Sequence, residues 1–347
     1  MMRQGPEPRE SREQAWKPIK AAIRLAVAAG ILVFLFKKVG GEAIWAAFKQ
    51  FHWQVPAAAV LGYCVMQAIK TYRFQILLRA IDVRVSYLRL LGMYFIGMFF
   101  NTVLPTIVGG DAVRIAYLAR DTGKLDRAVA SVITERAIGV GALILIAIVA
   151  LFVSGQDATP VMVYFILAAT GVFLVGVLFL FSPWVYRVST KCMRAIGLGR
   201  VEKTISAIQN AFGTYRRQYG ILTITMLLSI VVQVVMIALY MLLAYGMGLR
   251  LPIGFLFVAV SITVLVSMVP VTVSGLGIRE GMWVLFFAQR GLPKPEAMAL
   301  SLAWFLTGAV AGMFGCPVFL FWRAADQPRT CPTAPAPDPS KDALDHV

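Results

Sequence analysis

The strongest constraint on the fold of this chain is a series of apolar runs long enough to cross a bilayer. Hydrophobic residues make up 59% of the 347 positions and charged residues only 14%, whereas soluble domains are about 45–50% apolar and about 25% charged. Backbone groups in lipid must be satisfied within the protein, which favours helices for runs of this length. We therefore predict an all-α polytopic membrane protein. Its roughly eight helical segments are expected at about 19–36, 55–72, 87–104, 127–153, 160–182, 221–246, 254–270 and 297–322.

Two of these runs, 87–104 and 254–270, end in the same kind of break. At an offset of 165 residues the breaks align Pro105 with Pro270, Gly110 with Gly275 and Arg114 with Arg279. The residues expected to break the helices are Pro105, Gly109, Gly110, Pro270, Ser274, Gly275 and Gly277. Irregular backbone at membrane depth is tolerated only where protein or a water-filled cavity surrounds it. Matching breaks in two halves are typical of a transporter-like binding site.

The distribution of Lys and Arg predicts the orientation. Both residue types are concentrated before residue 25, in 70–89 and in 183–219, whereas 154–160 contains neither. The positive-inside rule therefore places the first three segments in the cytoplasm. The same rule and binding to the anionic leaflet explain the net charge of +16 better than nucleic acid does. The expected organisation is a cytoplasmic segment 1–18, a membrane domain 19–322 (first half 19–182, amphipathic linker 183–220, second half 221–322) and a disordered cytoplasmic tail 323–347.

The number of crossings then requires that the two broken segments be re-entrant. If 73–87 is cytoplasmic and 154–160 lies outside, 87–104 must enter from the cytoplasm and return to it before 127–153 begins. The same count makes 254–289 enter from the outer face. Two hairpins from opposite faces are what an inverted repeat produces.

Other features predict surface helices and no cofactor. Amphipathic spacing in 201–219 indicates a helix on the cytoplasmic leaflet, and Ile44, Phe48 and Phe51 indicate an interfacial helix on the outer side. The four cysteines show neither paired spacing nor a metal motif. We therefore expect no bound metal and no cofactor.

The ordered set of motifs resembles the lysylphosphatidylglycerol synthase transmembrane-region family, over roughly residues 19–322. The motifs are Phe99, Phe100, Asn101, Leu104 and Pro105; Gly109, Gly110, Asp111 and Arg114; Thr134, Glu135 and Arg136; and Ser274, Gly275, Gly277, Arg279 and Glu280. The resemblance implies a bundle of about eight helices with broken segments, and a role in moving or handling polar lipids. The 347 residues contain no counterpart of the soluble aminoacyl-transferase domain, so we expect no synthesis of aminoacyl lipids by this chain.

Charged and polar side chains near the breaks are the candidate ligands of a lipid headgroup. They are Asn101, Asp111, Arg114, Glu135, Arg136, Arg279 and Glu280. Arginine holds phosphate with bidentate hydrogen bonds, and an ionised side chain at the depth of Glu135 needs a partner or a cavity. Structural alternatives stay open: Asp111 as a helix cap, a simple Asp111–Arg114 pair, an ion pair for Glu135, and Asn101 satisfying backbone groups at the break.

The sequence favours translocation of a polar phospho- or glycolipid across the cytoplasmic membrane, with both termini cytoplasmic. Two alternatives of other classes are a non-catalytic scaffold for envelope assembly and a lipid-modifying transferase using Glu135 or Glu280 as base. Membrane lipids are the expected partners; a homo-oligomer or contact with envelope-synthesis proteins is left open. With His52 and His346 as the only histidines, neither a zinc protease nor a serine protease is favoured.

Overall fold

The fold consists entirely of helices in the part of the chain that the structure describes. The structure, a computed structural model, describes residues 42, 49, 51–103, 109–154, 159–181, 215, 218–268 and 277–325. The helices within these ranges are α1 (Gln54–Arg79), α2 (Tyr87–Val103), α3 (Gly109–Thr122), α4 (Leu125–Ser154), α5 (Pro160–Phe181), α6 (Tyr219–Gly246), α7 (Ile253–Ser267), α8 (Ile278–Gln289), α9 (Lys294–Met313) and α10 (Gly315–Ala325). The predicted all-α membrane fold is confirmed.

Several predicted segments lie outside the described residues. They are the first span 19–36, the two break loops 104–108 and 269–276, nearly all of the amphipathic segment 201–219, most of the interfacial helix around Ile44 and Phe48, and the tail from residue 326. The predicted domain boundaries at 18 and 183 also lie outside the described residues.

The seven predicted spans that fall among the described residues match helices, with two differences. Among the described residues, three stretches are long and apolar enough to cross a membrane by length and composition, namely Leu125–Val153, Tyr219–Gly246 and Lys294–Trp322. The last of them is interrupted at Phe314, because α9 ends at Met313 and α10 begins at Gly315. Pro317 explains the interruption because its ring cannot coexist with a regular helix at the carbonyl four residues earlier. The second difference is that α1 continues to Arg79, seven residues beyond its predicted end.

Helices α2 and α3 form an antiparallel hairpin whose tip is the first break. Arg89, near the start of α2, binds Asp121, near the end of α3, through two hydrogen bonds of 2.9 and 3.0 Å. At the other end Asn101 accepts a hydrogen bond of 2.7 Å from the backbone N–H of Gly110. The chain therefore runs along α2 in one direction and along α3 in the opposite direction, as the count of crossings predicts.

Helices α7 and α8 form the corresponding hairpin from the opposite end of the bundle. Phe255, near the start of α7, contacts Phe287 and Arg290 at the end of α8. This hairpin begins just after α6, which ends at Gly246 and there packs against Val55 at the start of α1. The first hairpin instead begins just after the C-terminal end of α1. The two hairpins therefore begin at opposite ends of the bundle.

The two halves are related by an approximate two-fold axis. Helices α1 and α6 begin 165 residues apart, the offset that aligns the breaks, and they pack antiparallel. Gly62 lies against Leu239, and Arg73, further along α1, binds Ser229, which lies earlier in α6. The two helices therefore run in opposite directions. The other contacts occur in matching pairs: α2 packs on α9 as α7 packs on α4, and α4 packs on α6 as α9 packs on α1. The inverted repeat predicted from the sequence is confirmed.

Candidate functional site

A polar cavity of about 260 Å³ lies between α1, α2, α3, α4 and α6. The residues that line it are Tyr63, Gln67, Lys70, Arg73, Tyr94, Gly97, Met98, Asn101, Gly110, Asp111, Arg114, Glu135, Arg136, Gly139, Val232, Gln233 and Met268. Asn101 and Gly110 flank the first break, and Met268 immediately precedes the second. Both described ends of the first break and the α7 end of the second therefore meet at one cavity.

Glu135 of α4 is the centre of the hydrogen-bond network in this cavity. The residue is only 4% exposed. Its Oε1 accepts hydrogen bonds from Arg73 Nη2 at 2.7 Å and from the Tyr94 hydroxyl, and its Oε2 accepts one from Arg114 Nη2 at 2.7 Å. Three donors from α1, α2 and α3 thus converge on one carboxylate, which offsets the cost of burying it.

Arg73 connects the first half of the molecule to the second. Its Nη1 donates a hydrogen bond of 2.7 Å to Ser229 Oγ on α6, while Ser229 itself donates to the Thr225 carbonyl. Arg114 lies over the Tyr94 ring, with its Cζ 3.8 Å from the ring centroid. The Nε atoms of both arginines are buried and have no acceptor in the part of the chain that the structure describes.

Asp111 and Arg136 form the rim of the cavity. Asp111 Oδ2 accepts hydrogen bonds from the Arg136 guanidinium, and Asp111 Oδ1 lies 3.5 Å from Arg114 Nη1. The Arg136 side chain is 46% exposed, in contrast to the buried Glu135 next to it. The alternative that Asp111 caps the helix is wrong, because α3 begins two residues earlier, at Gly109.

The close approach of α2 and α3 at the tip of the hairpin depends on glycine. A Cβ on Gly97 would lie 3.0 Å from the Gly110 carbonyl, and one on Gly110 would collide with the Gly97 carbonyl. Asn101 satisfies the Gly110 N–H at this point, as one of the alternatives predicts. Gly109, the other predicted break residue here, is the first residue of α3.

Sequence reasoning missed Lys70, Arg73 and Tyr94. The two basic residues were counted with the cytoplasmic loop after the second span, although they lie inside α1. The available signal was their spacing: Gln67, Lys70 and Arg73 recur every three residues, which places them along one side of a helix. Polar side chains in such a stripe within a membrane helix point towards a partner or a cavity.

Arg279 and Glu280 form a second cluster and do not line this cavity. Arg279 Nη2 binds Glu280 Oε1 at 2.7 Å, and Ser301 Oγ binds both residues at 2.9 Å. Glu280 Oε2 accepts a hydrogen bond of 2.6 Å from the backbone N–H of Gly277. Gly277 precedes α8 with φ of 85°, a conformation that favours glycine. This cluster is buried and self-neutralised.

The remaining predicted residues lie outside the described ranges, and no metal cluster stands out. Pro105, Pro270, Ser274 and Gly275 belong to the two break loops that the structure does not describe. Within the described residues, no group of three or more His, Cys, Asp or Glu side chains is arranged to hold a metal ion.

Comparison with known proteins gives the family. The profile described as Lysylphosphatidylglycerol synthase TM region matches residues 21–315, most of the chain. The chain belongs to this family. Membership makes it an integral membrane protein, and the name of the family connects it with membrane lipid. The matched range includes both hairpins and every residue that lines the cavity.

A relative of the chain is a UPF0104 membrane protein of Pyrococcus horikoshii. The two sequences are 31% identical over 85 residues. The aligned stretch is 24% of this chain and 25% of the relative, so it spans about a quarter of each protein. This similarity is consistent with a membrane protein and adds no assignment of a substrate.

Proposed function

We propose that the protein moves a lipid with an anionic headgroup across the cytoplasmic membrane through the cavity around Glu135. The observation that carries the proposal is a polar cavity with excess positive charge, formed where the tip of the first hairpin meets the α7 end of the second, oppositely directed hairpin. Such cavities at the interface of inverted repeats are the binding sites of many transporters.

The physical obstacle to lipid translocation is removal of water from the headgroup. An isolated ion transferred to hydrocarbon costs tens of kcal/mol in the idealised limit. Arg114 and Lys70 line a cavity that supplies charge and hydrogen-bond donors in place of that water. The acyl chains need no such help, because they can stay in the surrounding lipid.

The depth of the cavity suits this role. Glu135 lies ten residues after the start of α4, which is about 15 Å along the helix, or half of a hydrocarbon core of about 30 Å. Arg136 at the rim is substantially exposed at this depth. A guanidinium facing lipid there costs about 2.5–3.5 kcal/mol, so we assign it to the mouth through which a headgroup enters.

The proposed orientation rests on the clustering of basic residues at one end of the bundle. Arg127 donates a hydrogen bond of 2.7 Å to the Ile81 carbonyl, and Gln218 donates one of 2.8 Å to the Ala80 carbonyl, which brings the ends of α1, α4 and α6 together. Further basic residues at the ends of these and neighbouring helices are Arg79, Arg84, Arg89, Arg120 and Lys124. The positive-inside rule assigns this end to the cytoplasm, where it faces anionic lipid.

The test is translocation of a fluorescent anionic phospholipid in proteoliposomes, with wild type compared with Lys70→Gln. We expect the rate to fall at least about tenfold, because a charge-assisted hydrogen bond contributes about 1.5–3 kcal/mol. Lys124→Gln is the matched control, because Lys124 is an exposed lysine outside the cavity. Its rate should equal that of wild type.

Equal rates for Lys70→Gln and wild type would contradict the proposal, as would rates no higher than in protein-free liposomes. Mass spectrometry of the lipids recovered after the assay separates transport from catalysis. A lipid-modifying transferase changes their mass, whereas translocation leaves every lipid chemically intact.

A further inference from the structure

Resting on the proposed function, we infer that the cavity selects a headgroup with two negative charges on phosphate, which is a phosphomonoester or a diphosphate. Singly charged phosphodiesters and zwitterionic headgroups are the classes that it disfavours. The inference rests on the charges that line the cavity, on the bonds that its two carboxylates already make and on its size.

The lining residues carry a net charge of +2. Four of them are cationic, namely Lys70, Arg73, Arg114 and Arg136, and two are anionic, Asp111 and Glu135. A ligand with two negative charges neutralises the site, whereas a monoanion leaves one positive charge uncompensated. Because the inner part of the site is buried, an unpaired charge there costs far more than at the surface.

The carboxylates of the cavity are not available to a cationic headgroup. Both oxygens of Glu135 accept hydrogen bonds, from Arg73 and Tyr94 on one side and from Arg114 on the other. Asp111 is bound by Arg136. An ammonium group of a zwitterionic lipid would have to displace an arginine that is more strongly bound. Zwitterionic headgroups are therefore poor ligands.

A donor of the cavity, in contrast, remains without an anionic partner among the residues that the structure describes. The ammonium of Lys70 forms no ion pair among the described residues, although Lys70 lines the cavity. The Nε atoms of Arg73 and Arg114 also lack an acceptor in the described part of the chain, but they are fully buried beside the cavity and do not face its interior. A phosphate oxygen is the acceptor that the Lys70 ammonium lacks, and hydrogen bonds between charged groups are the strong ones.

The size of the cavity limits the headgroup further. A volume of about 260 Å³ is below the range of about 300–1,000 Å³ that is typical of pockets for drug-sized ligands. A phosphate or diphosphate is compatible with this space, whereas an oligosaccharide is not. A sugar attached to the lipid would have to remain outside the cavity.

The experiment compares two lipids that differ by one charge and one methyl group. Purified full-length protein in nanodiscs of zwitterionic lipid is titrated with phosphatidic acid, which is mainly a dianion at about pH 7.5 because its second pKa is near the phosphomonoester value of about 6. The second ligand is phosphatidylmethanol with the same acyl chains, which is a monoanion. We expect at least about tenfold tighter binding of phosphatidic acid, and we expect Lys70→Gln to remove most of this preference.

The outcomes separate this inference from the proposed function. Equal, Lys70-dependent binding of the two lipids would overturn the inference and leave translocation standing. Binding of neither lipid, or binding unaffected by Lys70→Gln and Arg136→Gln in folded protein, would overturn both the inferred headgroup selectivity and the proposed translocation. Inorganic phosphate is the third ligand, and competition by it at the potency of the lipid would assign the site to free phosphate instead.

Discussion

At the scale of single residues, the neighbours Glu135 and Arg136 have different environments because they differ by about 100° around α4. Glu135 faces inward and binds three donors, whereas Arg136 faces the rim and binds Asp111. Two opposite charges that are adjacent in a sequence suggest an ion pair with each other. Here Glu135 and Arg136 bind different partners on neighbouring helices instead.

The Glu135 network should contribute strongly to stability. Glu135→Gln removes the charge that compensates Arg73 and Arg114, and breaking a buried ion pair costs about 3–5 kcal/mol. We therefore expect a clearly lower midpoint of thermal unfolding in detergent. Asp121→Asn is the matched control, because its pair with Arg89 is partly exposed and exposed pairs contribute about 0–1 kcal/mol.

A double-mutant cycle gives an independent check of the same network. If Arg114 and Glu135 stabilise each other, their joint replacement by glutamine should cost less than the two single replacements together. The expected difference for coupled residues is about 0.5–3 kcal/mol. Strict additivity, or an equal loss of stability in Asp121→Asn, would be inconsistent with the role assigned to Glu135.

The residues of the site were predictable where a break in the sequence pointed to them. Asn101, Asp111 and Arg114 flank the first break, and charge at depth singled out Glu135. Arg73 was not found because hydropathy ends a span at the first charges, while the helix continues. Which carboxylate binds which arginine depends on how four helices pack, and no local sequence pattern contains that information.

At the scale of elements, the two hairpins were predictable because proline, glycine and the number of crossings all require a reversal. The split between α9 and α10 was not predicted, although Pro317 contains the signal for it. In an otherwise apolar run a proline changes the direction of a helix without changing hydropathy. A count based on hydropathy alone therefore reads the two helices as one span.

Close packing at the tip of the first hairpin gives a test at this scale. Gly110→Ala places a methyl group against the Gly97 carbonyl and the Asn101 side chain, so α2 and α3 must separate. Overpacking of this kind typically costs about 1–3 kcal/mol. We expect a lower yield of folded protein in fluorescence-detected size-exclusion chromatography, together with a lower midpoint of thermal unfolding.

The control is Gly281→Ala in α8, the helix that corresponds to α3 in the second half. A Cβ there meets no atom within 4 Å. Alanine in a helix is more favourable than glycine by about 0.5–1 kcal/mol, so this variant should be at least as stable as wild type. If Gly110→Ala behaved in the same way, the close approach of α2 and α3 would not be required for folding.

At the scale of the whole molecule, the helix–helix contacts of the two halves match and the charges do not. Arg114 and Arg279 occupy matching positions, but only Arg114 lines the cavity. Arg279 is neutralised by Glu280 and Ser301 within its own half. The repeat therefore provides two oppositely directed hairpins, while the sequence of the first half provides the excess positive charge.

The opposite directions of the hairpins can be tested by labelling from each side of the membrane. Lys124 and Lys294 are both exposed and lie at the open ends of the first and second hairpins. Each is replaced by cysteine in a variant whose four native cysteines are changed to serine. A membrane-impermeant maleimide is then added to right-side-out and inside-out vesicles.

We expect Lys124→Cys to react only in inside-out vesicles and Lys294→Cys only in right-side-out vesicles. This result requires that the chain reverse within each hairpin, because a straight passage through either would change the side of one label. Two labels on the same side would be incompatible with hairpins that enter from opposite faces. The cavity would then no longer lie between inverted halves, and the argument for a transporter-like binding site would fail with it.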